Sequence, residues 1–318
     1  MPARILDGES IAASIRAEVA AELNQFAAAG IRPGVAVILV GKDVASEIYV
    51  RGKLKSCEEM GIYSETHRPA ENVTTERLLK LIGAFNRRDD IDGILVQLPL
   101  PPQVDTMRVL LAVDPAKDVD GFHPLNFGLL SKNQPALVPC TAAGIIEILE
   151  RSRIRVDGAE AVVVGRSEIV GRPTAMMLLN RHATVAICHS HTRDLAGHCR
   201  RADILISAVG KPGFIDINYV KEGATVIDVG ITRISDRATF DRFFKGNARR
   251  EKSFAAKGST LIGDVHPEVA VIAGAITPVP GGVGPLTVAM LLVNLLKACR
   301  MRRGSSVVSL QPSAPGSR

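Results

Sequence analysis

Tyr49 and Lys53 lie four residues apart in the segment SEIYVRGKLK, which covers residues 46–55. If this segment is helical, both side chains project from one face, because residues four apart are neighbours on a helix. The tyrosine ring offers a stacking surface and a hydroxyl, and lysine has a side chain whose pKa burial readily lowers toward use as a base. The spacing therefore indicates a candidate active site. The alternative is a solvated helix face on which Tyr49 packs at the edge of the core and Lys53 extends its ammonium group to solvent.

Asp118 and Asp120 occupy a second chemically dense segment, PAKDVDGFHP (115–124), which turns at Gly121. A carboxylate in a loop can accept paired N–H bonds from a heterocycle with an amidine-like edge. A solvated turn is the alternative, because aspartates are common in turns.

A third segment, ITPVPGGVGPLTVAMLL (276–292), is rich in proline and glycine before an apolar helix. Its residues Pro280, Gly281 and Gly282 form a rigid loop with little side-chain bulk, which lets a flat ligand approach the backbone closely. A plain connection from a strand to a helix would not require so many prolines and glycines.

The strand AVVVG runs directly into RSEIVGRP, which places Gly165 at a tight turn and Gly171 at the start of the next helix. Backbone amides at such a turn bind phosphate or pyrophosphate, although the spacing is not G-x-G-x-x-G and an ordinary turn stays possible. No carboxylate ends the following strand, where one would bind the ribose of NAD. Ser190 and His191 stand there instead, with Arg166 in the turn, and this combination favours the 2′-phosphate of NADP.

The composition excludes several classes of protein. The chain has 318 residues, of which 46% are hydrophobic, enough for two medium cores. No apolar run approaches the roughly 18 residues that span a bilayer, and the start has no apolar signal core, so we expect a cytoplasmic protein with no membrane partner. Four arginines near the C-terminus (Arg300, Arg302, Arg303 and Arg318) account for most of the net charge of +6. The charge therefore does not indicate nucleic-acid binding.

Five cysteines without a CxxC pair argue against a disulfide framework and predict reduced thiols. Cys188, His189 and His191 do not indicate a metal site, because adjacent strand residues point to opposite faces and no carboxylate motif accompanies them. We therefore predict no metal.

Short β-branched runs alternate with longer amphipathic segments, which is typical of an α/β fold around a mostly parallel sheet. The predicted strands are 35–40, 93–100, 161–165, 183–188, 202–210 and 224–230. The predicted helices are 10–29, 44–60, 74–87, 142–151, 171–181 and 286–300. Residues 233–258, rich in charge and poor in aliphatic side chains, are predicted to be a surface insertion.

Taken in order, the blocks VGKDVASEIYVRGKLKSCEEMGI, GILVQLPLP, PAKDVDGFHP, PCTAAG, VVVGRSEIVGRP, CHSHT, GATVIDVGI and TPVPGGVGPLT closely resemble the bifunctional methylenetetrahydrofolate dehydrogenase/methenyltetrahydrofolate cyclohydrolase family. The resemblance implies a two-domain α/β fold: an N-terminal catalytic domain, a Rossmann-like NADP-binding domain and a C-terminal helix that packs back on the first. The expected domains are 1–140 with the returning helix 286–303, then 141–285, followed by a disordered tail at 304–318. It also implies a homodimer, NADP-linked oxidation of 5,10-methylenetetrahydrofolate, and hydrolysis of the methenyl product to 10-formyltetrahydrofolate.

The resemblance also implies the roles of individual residues. Tyr49 should stack on the folate, Lys53 should be the catalytic base or proton shuttle, Gln97 should orient Lys53, and Asp120 should hold the pterin edge. The residues expected to line the folate pocket are Pro280, Gly281 and Gly282. The residues expected to contact NADP are Gly165, Arg166, Ser167, Ser190 and Ile231.

Four positions depart from the family pattern: Ala142 replaces Pro, His191 replaces Arg or Lys, Thr232 replaces Asn and Leu286 replaces Met. His191 matters most, because it removes a permanent cation near the expected 2′-phosphate, so that preference for NADP over NAD depends more on Arg166.

An enzyme that keeps only one of the two activities is the main alternative. A nucleic-acid-binding protein is disfavoured by the absence of Trp and by only 4% aromatic residues.

Overall fold

The computed structural model describes residues 2–304, without the side chains of residues 44 and 45. The predicted tail at 304–318 therefore lies, apart from Gly304, outside the described residues. The strands are β1 (Arg4–Ile5), β2 (Gly34–Ile38), β3 (Tyr63–His67), β4 (Gly93–Val96), β5 (Glu160–Val164), β6 (Thr184–Cys188), β7 (Ile204–Ser207), β8 (Thr225–Asp228), β9 (Thr232–Ile234), β10 (Thr260–Ile262) and β11 (Ala275–Ile276). The helices are α1 (Gly8–Ala28), α2 (Val44–Glu59), α3 (Thr75–Asn86), α4 (Thr106–Ala112), α5 (Pro124–Ser131), α6 (Cys140–Arg151), α7 (Gly171–Leu179), α8 (Leu195–Cys199), α9 (Arg237–Phe244), α10 (Ala248–Lys257) and α11 (Val283–Arg303), with short 3₁₀ turns at Ile217–Tyr219 and Pro267–Val271.

Two compact units divide the chain. The larger unit contains residues 2–15 and 125–290, and the smaller unit contains residues 16–124 and 291–304. The boundaries fall within α1 and α11, so the last turns of α11 belong to the smaller unit.

The larger unit is built on six parallel strands in the order β1-β11-β8-β7-β5-β6. Continuous apolar runs form its central strands, because a parallel sheet covered on both faces buries every side chain. In β5, for example, Val162, Val163 and Val164 are all at most 2% exposed. The carboxyl ends of β5, β6 and β7 share one edge, which is where ligands bind in such sheets.

The smaller unit contains three parallel strands in the order β3-β2-β4. Helix α3 buries Leu78, Ile82 and Phe85, spaced to form one apolar stripe, in the core of this unit. Helix α2 begins where the Asp43 side chain accepts a hydrogen bond of 2.7 Å from the Ser46 amide, a standard N-cap.

The segment 233–258 is more ordered than a surface insertion requires. Strands β9 and β10 pair antiparallel, and with α9 and α10 they form what we call the aromatic module (residues 232–262). Its core is made of Ile234, Phe240, Phe243, Phe244, Ile262 and the partly buried Phe254. Phenylalanine rings replace the missing aliphatic side chains, which is why aliphatic content alone did not predict this core.

Arg300, Arg302 and Arg303 lie in the last turns of helix α11, within the returning helix expected at 286–303. Helix α11 extends to Arg303, and Arg302 and Arg303 both pair with the fully buried carboxylate of Asp92 at 2.8 Å. Helix α11 is long and apolar enough to cross a membrane, which was not expected from the sequence. However, 61% of its most apolar 18-residue stretch is buried in the protein, as in a core helix.

Candidate active site

The centre of the smaller unit's site is a pair of opposite charges. Lys53, on α2, places Nζ 3.3 Å from Oδ1 of Asp120, and each side chain is only 9% exposed. Tyr49, one turn earlier on the same helix, is 43% exposed. The helix therefore presents a buried amine and an accessible ring, and this pair of charges is costly to break because each partner would leave the other uncompensated.

Asp118 has a different role from Asp120, although the two are only two residues apart. The Asp118 carboxylate accepts hydrogen bonds from the amides of Gly121 (3.1 Å) and His123 (2.8 Å). These bonds fix the turn in which Asp120 lies. The geometry supports the prediction that Asp120, rather than Asp118, contacts the substrate.

Gln97 follows β4 and carries an unused acceptor. Its Nε2 donates to the Leu98 carbonyl at 2.8 Å, and Ser46 of α2 donates to the same carbonyl at 3.5 Å. Among the described residues, the buried Oε1 of Gln97 has no hydrogen-bond partner. A buried acceptor is expected to find a donor, so this oxygen is available to an ammonium or ligand N–H. The bond from Lys53 to Gln97 stays a prediction.

Cys57 lies one turn after Lys53 but is not a nucleophile. Burial raises the pKa of its thiol to about 12, against the opposing effect of the Lys53 charge. The thiolate is the reactive form of cysteine, so Cys57 is inert at neutral pH.

The turn after β5 in the larger unit packs closely against the residue that follows β7. Gly165 has φ of +126°, and a Cβ there would lie 2.3 Å from the carbonyl oxygen of Ala208. The Ser167 hydroxyl accepts from the amides of Val170 and Gly171, both at 3.2 Å, just before the start of α7. Only glycine fits position 165, because any Cβ there would collide with the Ala208 backbone.

A cavity of about 260 Å³ opens at the carboxyl ends of β5, β6 and β7. Gly165, Arg166 and Ser190 line it, as does Lys211, a second cation that the sequence analysis missed. Lys211 follows β7 in the run AVGKP. A cation shortly after the end of a predicted strand was the feature of the sequence from which this residue could have been predicted. The cavity therefore offers two cations and a hydroxyl, a suitable set for a phosphate group.

The two histidines beside this cavity are held together. The amide of His191 donates to Nδ1 of His189 at 3.2 Å. Desolvation, followed by the charges of Arg166 and His191, lowers the pKa of His189, which keeps its ring neutral at pH 7. Across residues 2–304, no group of three His, Cys, Asp or Glu side chains is arranged to hold a metal ion.

Two buried carboxylates anchor the loops around the cavity. Asp264 accepts from the amides of Val209 (2.7 Å), Gly210 (3.2 Å) and Lys211 (2.8 Å). Asp228 accepts from the amides of Gly230, Asp264 and Val265 at 2.8–3.0 Å. Aspartate is required at these places because each side chain satisfies several backbone donors at once.

A second cavity in the larger unit, of about 140 Å³, brings together predicted substrate and cofactor residues. Pro280, Gly281 and Gly282 line it together with Ile231. Gly281 has φ of +98°, which explains the glycine at that position. Of the predicted cofactor residues, Gly165, Arg166 and Ser190 line the 260 Å³ cavity, Ile231 lines the 140 Å³ cavity, and Ser167 lines neither.

A family model described as tetrahydrofolate dehydrogenase/cyclohydrolase, catalytic domain, matches residues 6–120, and the corresponding NAD(P)-binding domain model matches residues 139–303. The chain belongs to the tetrahydrofolate dehydrogenase/cyclohydrolase family. The bifunctional protein FolD of Koribacter versatilis is 62% identical over 96% of this chain and 100% of that protein.

Solved structures of tetrahydrofolate dehydrogenase/cyclohydrolases agree with this assignment. The bifunctional FolD of Campylobacter jejuni is 41% identical, covers 94% of this chain and 99% of its own, and has a TM-score of 0.85. The Trypanosoma brucei enzyme, solved with NADP cofactor and an inhibitor, is 38% identical over 95% of this chain and 98% of its own, with a TM-score of 0.83. The predicted family and α/β fold class are confirmed.

Proposed function

We propose that this chain oxidises 5,10-methylenetetrahydrofolate with NADP and hydrolyses the resulting 5,10-methenyl cation to 10-formyltetrahydrofolate. The chain is a bifunctional dehydrogenase/cyclohydrolase of folate one-carbon metabolism. The observation that carries the proposal beyond family membership is the buried contact between Lys53 and Asp120, inside the range that the catalytic-domain model matches.

The residues of the larger unit fit NADP. Arg166, Lys211 and Ser190 line one cavity, beside Gly165, with donors for phosphate oxygens. The chemistry that NADP supplies when bound is acceptance of a hydride from the carbon between two folate nitrogens. For that step the chain needs mainly to align its ligands, because the nitrogen lone pairs stabilise the cation.

Hydrolysis places more demands on side chains. Water adds to the methenyl carbon, one C–N bond breaks, the formyl group stays on N10 and one proton is released. We assign the proton transfer to Lys53, with Gln97 orienting it. Tyr49 is accessible enough to stack on the folate ring, and Asp120 accepts from the pterin edge. Pro280, Gly281 and Gly282 line the folate pocket by the same proposal, and Gly165, Arg166, Ser167, Ser190 and Ile231 contact NADP.

The domain roles, location and assembly are also proposals. The folate chemistry belongs to domain 1–140 with the returning helix, and NADP binding belongs to domain 141–285. The described cysteines are all free and buried, which supports a reducing cytoplasmic location. The paired Arg302 and Arg303 leave little free positive charge for nucleic acid. A homodimer without a membrane partner completes the proposal.

One assay tests the two reactions together. Purified protein is given NADP and methylenetetrahydrofolate, and the absorbances of NADPH and of the methenyl compound are followed. Both reactions predict NADPH formation without lasting methenyl accumulation. Accumulation of the methenyl compound at the rate of its buffer hydrolysis would leave only the dehydrogenase, and absence of NADPH formation would reject the dehydrogenase.

A further inference from the structure

One arginine of the aromatic module reaches outside the module. The guanidinium of Arg250, on α10, donates to the Thr260 hydroxyl and the Leu261 carbonyl, both at 3.2 Å, and to the carbonyl of Val279. It also lies over the ring of Phe244, 4.7 Å from the centroid. Leu261 and Val279 both line the 140 Å³ cavity, so a single guanidinium connects two of its walls.

The loop that receives this bond contains two prolines. Pro278 and Pro280 lack amide hydrogens, so neither can donate a backbone hydrogen bond. The bond from Arg250 to the Val279 carbonyl adds a contact that the two prolines cannot supply as donors. Val279 directly precedes the residues Pro280–Gly282. A hydrogen bond to the Val279 carbonyl therefore restrains the backbone where these residues begin.

The environment of Arg250 indicates that its side chain is held in a defined position. All three acceptors are neutral oxygens, and burial, together with the charge of Arg249, lowers the pKa of Arg250. Taking a guanidinium out of water costs stability unless its donors are satisfied. Arg250 is half-buried against the neighbouring loop, a placement that the module's own core does not require.

We propose that Arg250 is a positioning residue for folate binding, and that the aromatic module serves to brace the loop Pro278–Gly282 through it. The inference rests on the proposed role of Pro280–Gly282 in the folate pocket. The proposal also gives the 233–258 segment a role: the packing of α9 and α10 holds the Arg250 guanidinium in position to bond to the loop.

Arg237 is a matched control. Like Arg250, it stacks on a phenylalanine of the module, lying 5.0 Å from the centroid of the Phe240 ring. Its guanidinium, however, bonds to Glu251 at 2.7 and 2.8 Å, so it joins α9 to α10 within the module. Arg237→Met should lower the melting temperature without changing folate kinetics.

The decisive comparison is between Arg250→Met and Arg237→Met in the full chain. Arg250→Met should lower kcat/KM for methylenetetrahydrofolate by roughly tenfold through a higher KM, with the dissociation constant for NADP within about twofold of the parent value. Amide hydrogen exchange in residues 277–284 should accelerate in Arg250→Met but not in Arg237→Met. Arg250→Lys keeps the charge and one donor direction, so it should restore part of both effects.

Each result bears on the inference. Unchanged folate kinetics in folded Arg250→Met, or a loss equal to that in Arg237→Met, would overturn it. If Arg250→Met does not fold, Arg250→Lys decides by the same two measurements, and a Lys variant indistinguishable from Arg237→Met would overturn it. Failure of the proposed function is distinguishable, because it would abolish NADPH formation in the parent protein while the exchange measurement still tests Arg250.

Discussion

The ammonium group of Lys53 and the carboxylate of Asp120 lie 3.3 Å apart, although 67 residues separate them in the chain. Asp120 was expected to hold the pterin, and Lys53 to transfer protons. Their contact means that the Asp120 carboxylate can have two roles. It holds the Lys53 amine before substrate binds, and it faces the site in which the pterin edge is proposed to lie. The two roles can be separated by substitution.

Lys53→Met should divide the two activities. Methionine has similar length and flexibility but no titratable nitrogen, so the pocket keeps its shape while proton transfer is lost. General acid–base catalysis contributes roughly 10²- to 10⁴-fold, so methenyl hydrolysis should fall by that order and NADPH formation much less. Lys55→Met is the control, since Lys55 is 73% exposed on the same helix. Equal loss of both rates in a folded Lys53→Met protein would show that Lys53 only positions substrate.

Asp120→Asn and Asp118→Asn should have different consequences. Asp120→Asn replaces an acceptor by a donor that faces donors, which should weaken folate binding by about 1.5–3 kcal/mol without affecting NADP. Asp118→Asn should mainly lower the melting temperature, because Asp118 holds the amides of Gly121 and His123. Binding titrations and thermal unfolding separate the two effects. A larger folate defect in Asp118→Asn would reverse the assignment.

The sequence predicted the central strands because their chemistry is local. Runs such as AVVVG and ADILISAVG are apolar and β-branched, and the structure places β5 and β7 there. Strand β3 was missed because its sequence, YSETH, is polar and its side chains are only half buried at the edge of the three-stranded sheet. Burial on both faces gives β5 and β7 their apolar pattern, and β3, with one open edge and half-buried side chains, lacks it.

Contacts between distant residues could not be predicted in the same way. The four-residue spacing of Tyr49 and Lys53 was visible on one helix, whereas the partner of Lys53 depends on how α2 packs against a later loop. The bond from Arg250 to Val279 likewise depends on the packing of the aromatic module. Periodicity shows which face of a helix or strand is buried. It does not show which polar group of another element that face will contact.

Arg166→Ala should impair NADP selectively. Arg166 lines the cavity with Ser190 and Lys211, and loss of a charge-assisted hydrogen bond costs about 1.5–3 kcal/mol, which should appear as a higher KM for NADP but not for NAD. Arg172→Ala is the control, because Arg172 lies in α7, half exposed, and pairs with Glu168 at 3.4 Å. Use of NAD by the parent protein as good as its use of NADP would contradict this prediction.

The last turn of α11 should matter more to stability than the residues after it. Arg302 and Arg303 compensate the buried charge of Asp92, and leaving such a charge unpaired costs about 3–5 kcal/mol. A chain ending at Met301 should therefore show a clearly lower melting temperature, while a chain ending at Arg303 should be nearly unchanged. Thermal unfolding of both truncations checks this. A similar melting temperature for the two would mean that Asp92 finds other partners.

The stability of the protein should depend on pH through Asp228. Burial, and the nearby Asp264 charge, raise the pKa of Asp228 from 3.8 to about 7, against three backbone amides that favour ionisation. Between these two pKa values the folded state binds more protons than the unfolded state, so this group makes the free energy of unfolding rise as pH falls from about 8 to about 5. Asp228→Asn keeps one acceptor oxygen and cannot titrate, so it should be less stable overall and should lack this contribution to the slope. Urea unfolding of both proteins at several pH values measures the difference between them. Parallel pH dependence in the two proteins would show that Asp228 stays ionised in the fold, held by the amides of Gly230, Asp264 and Val265.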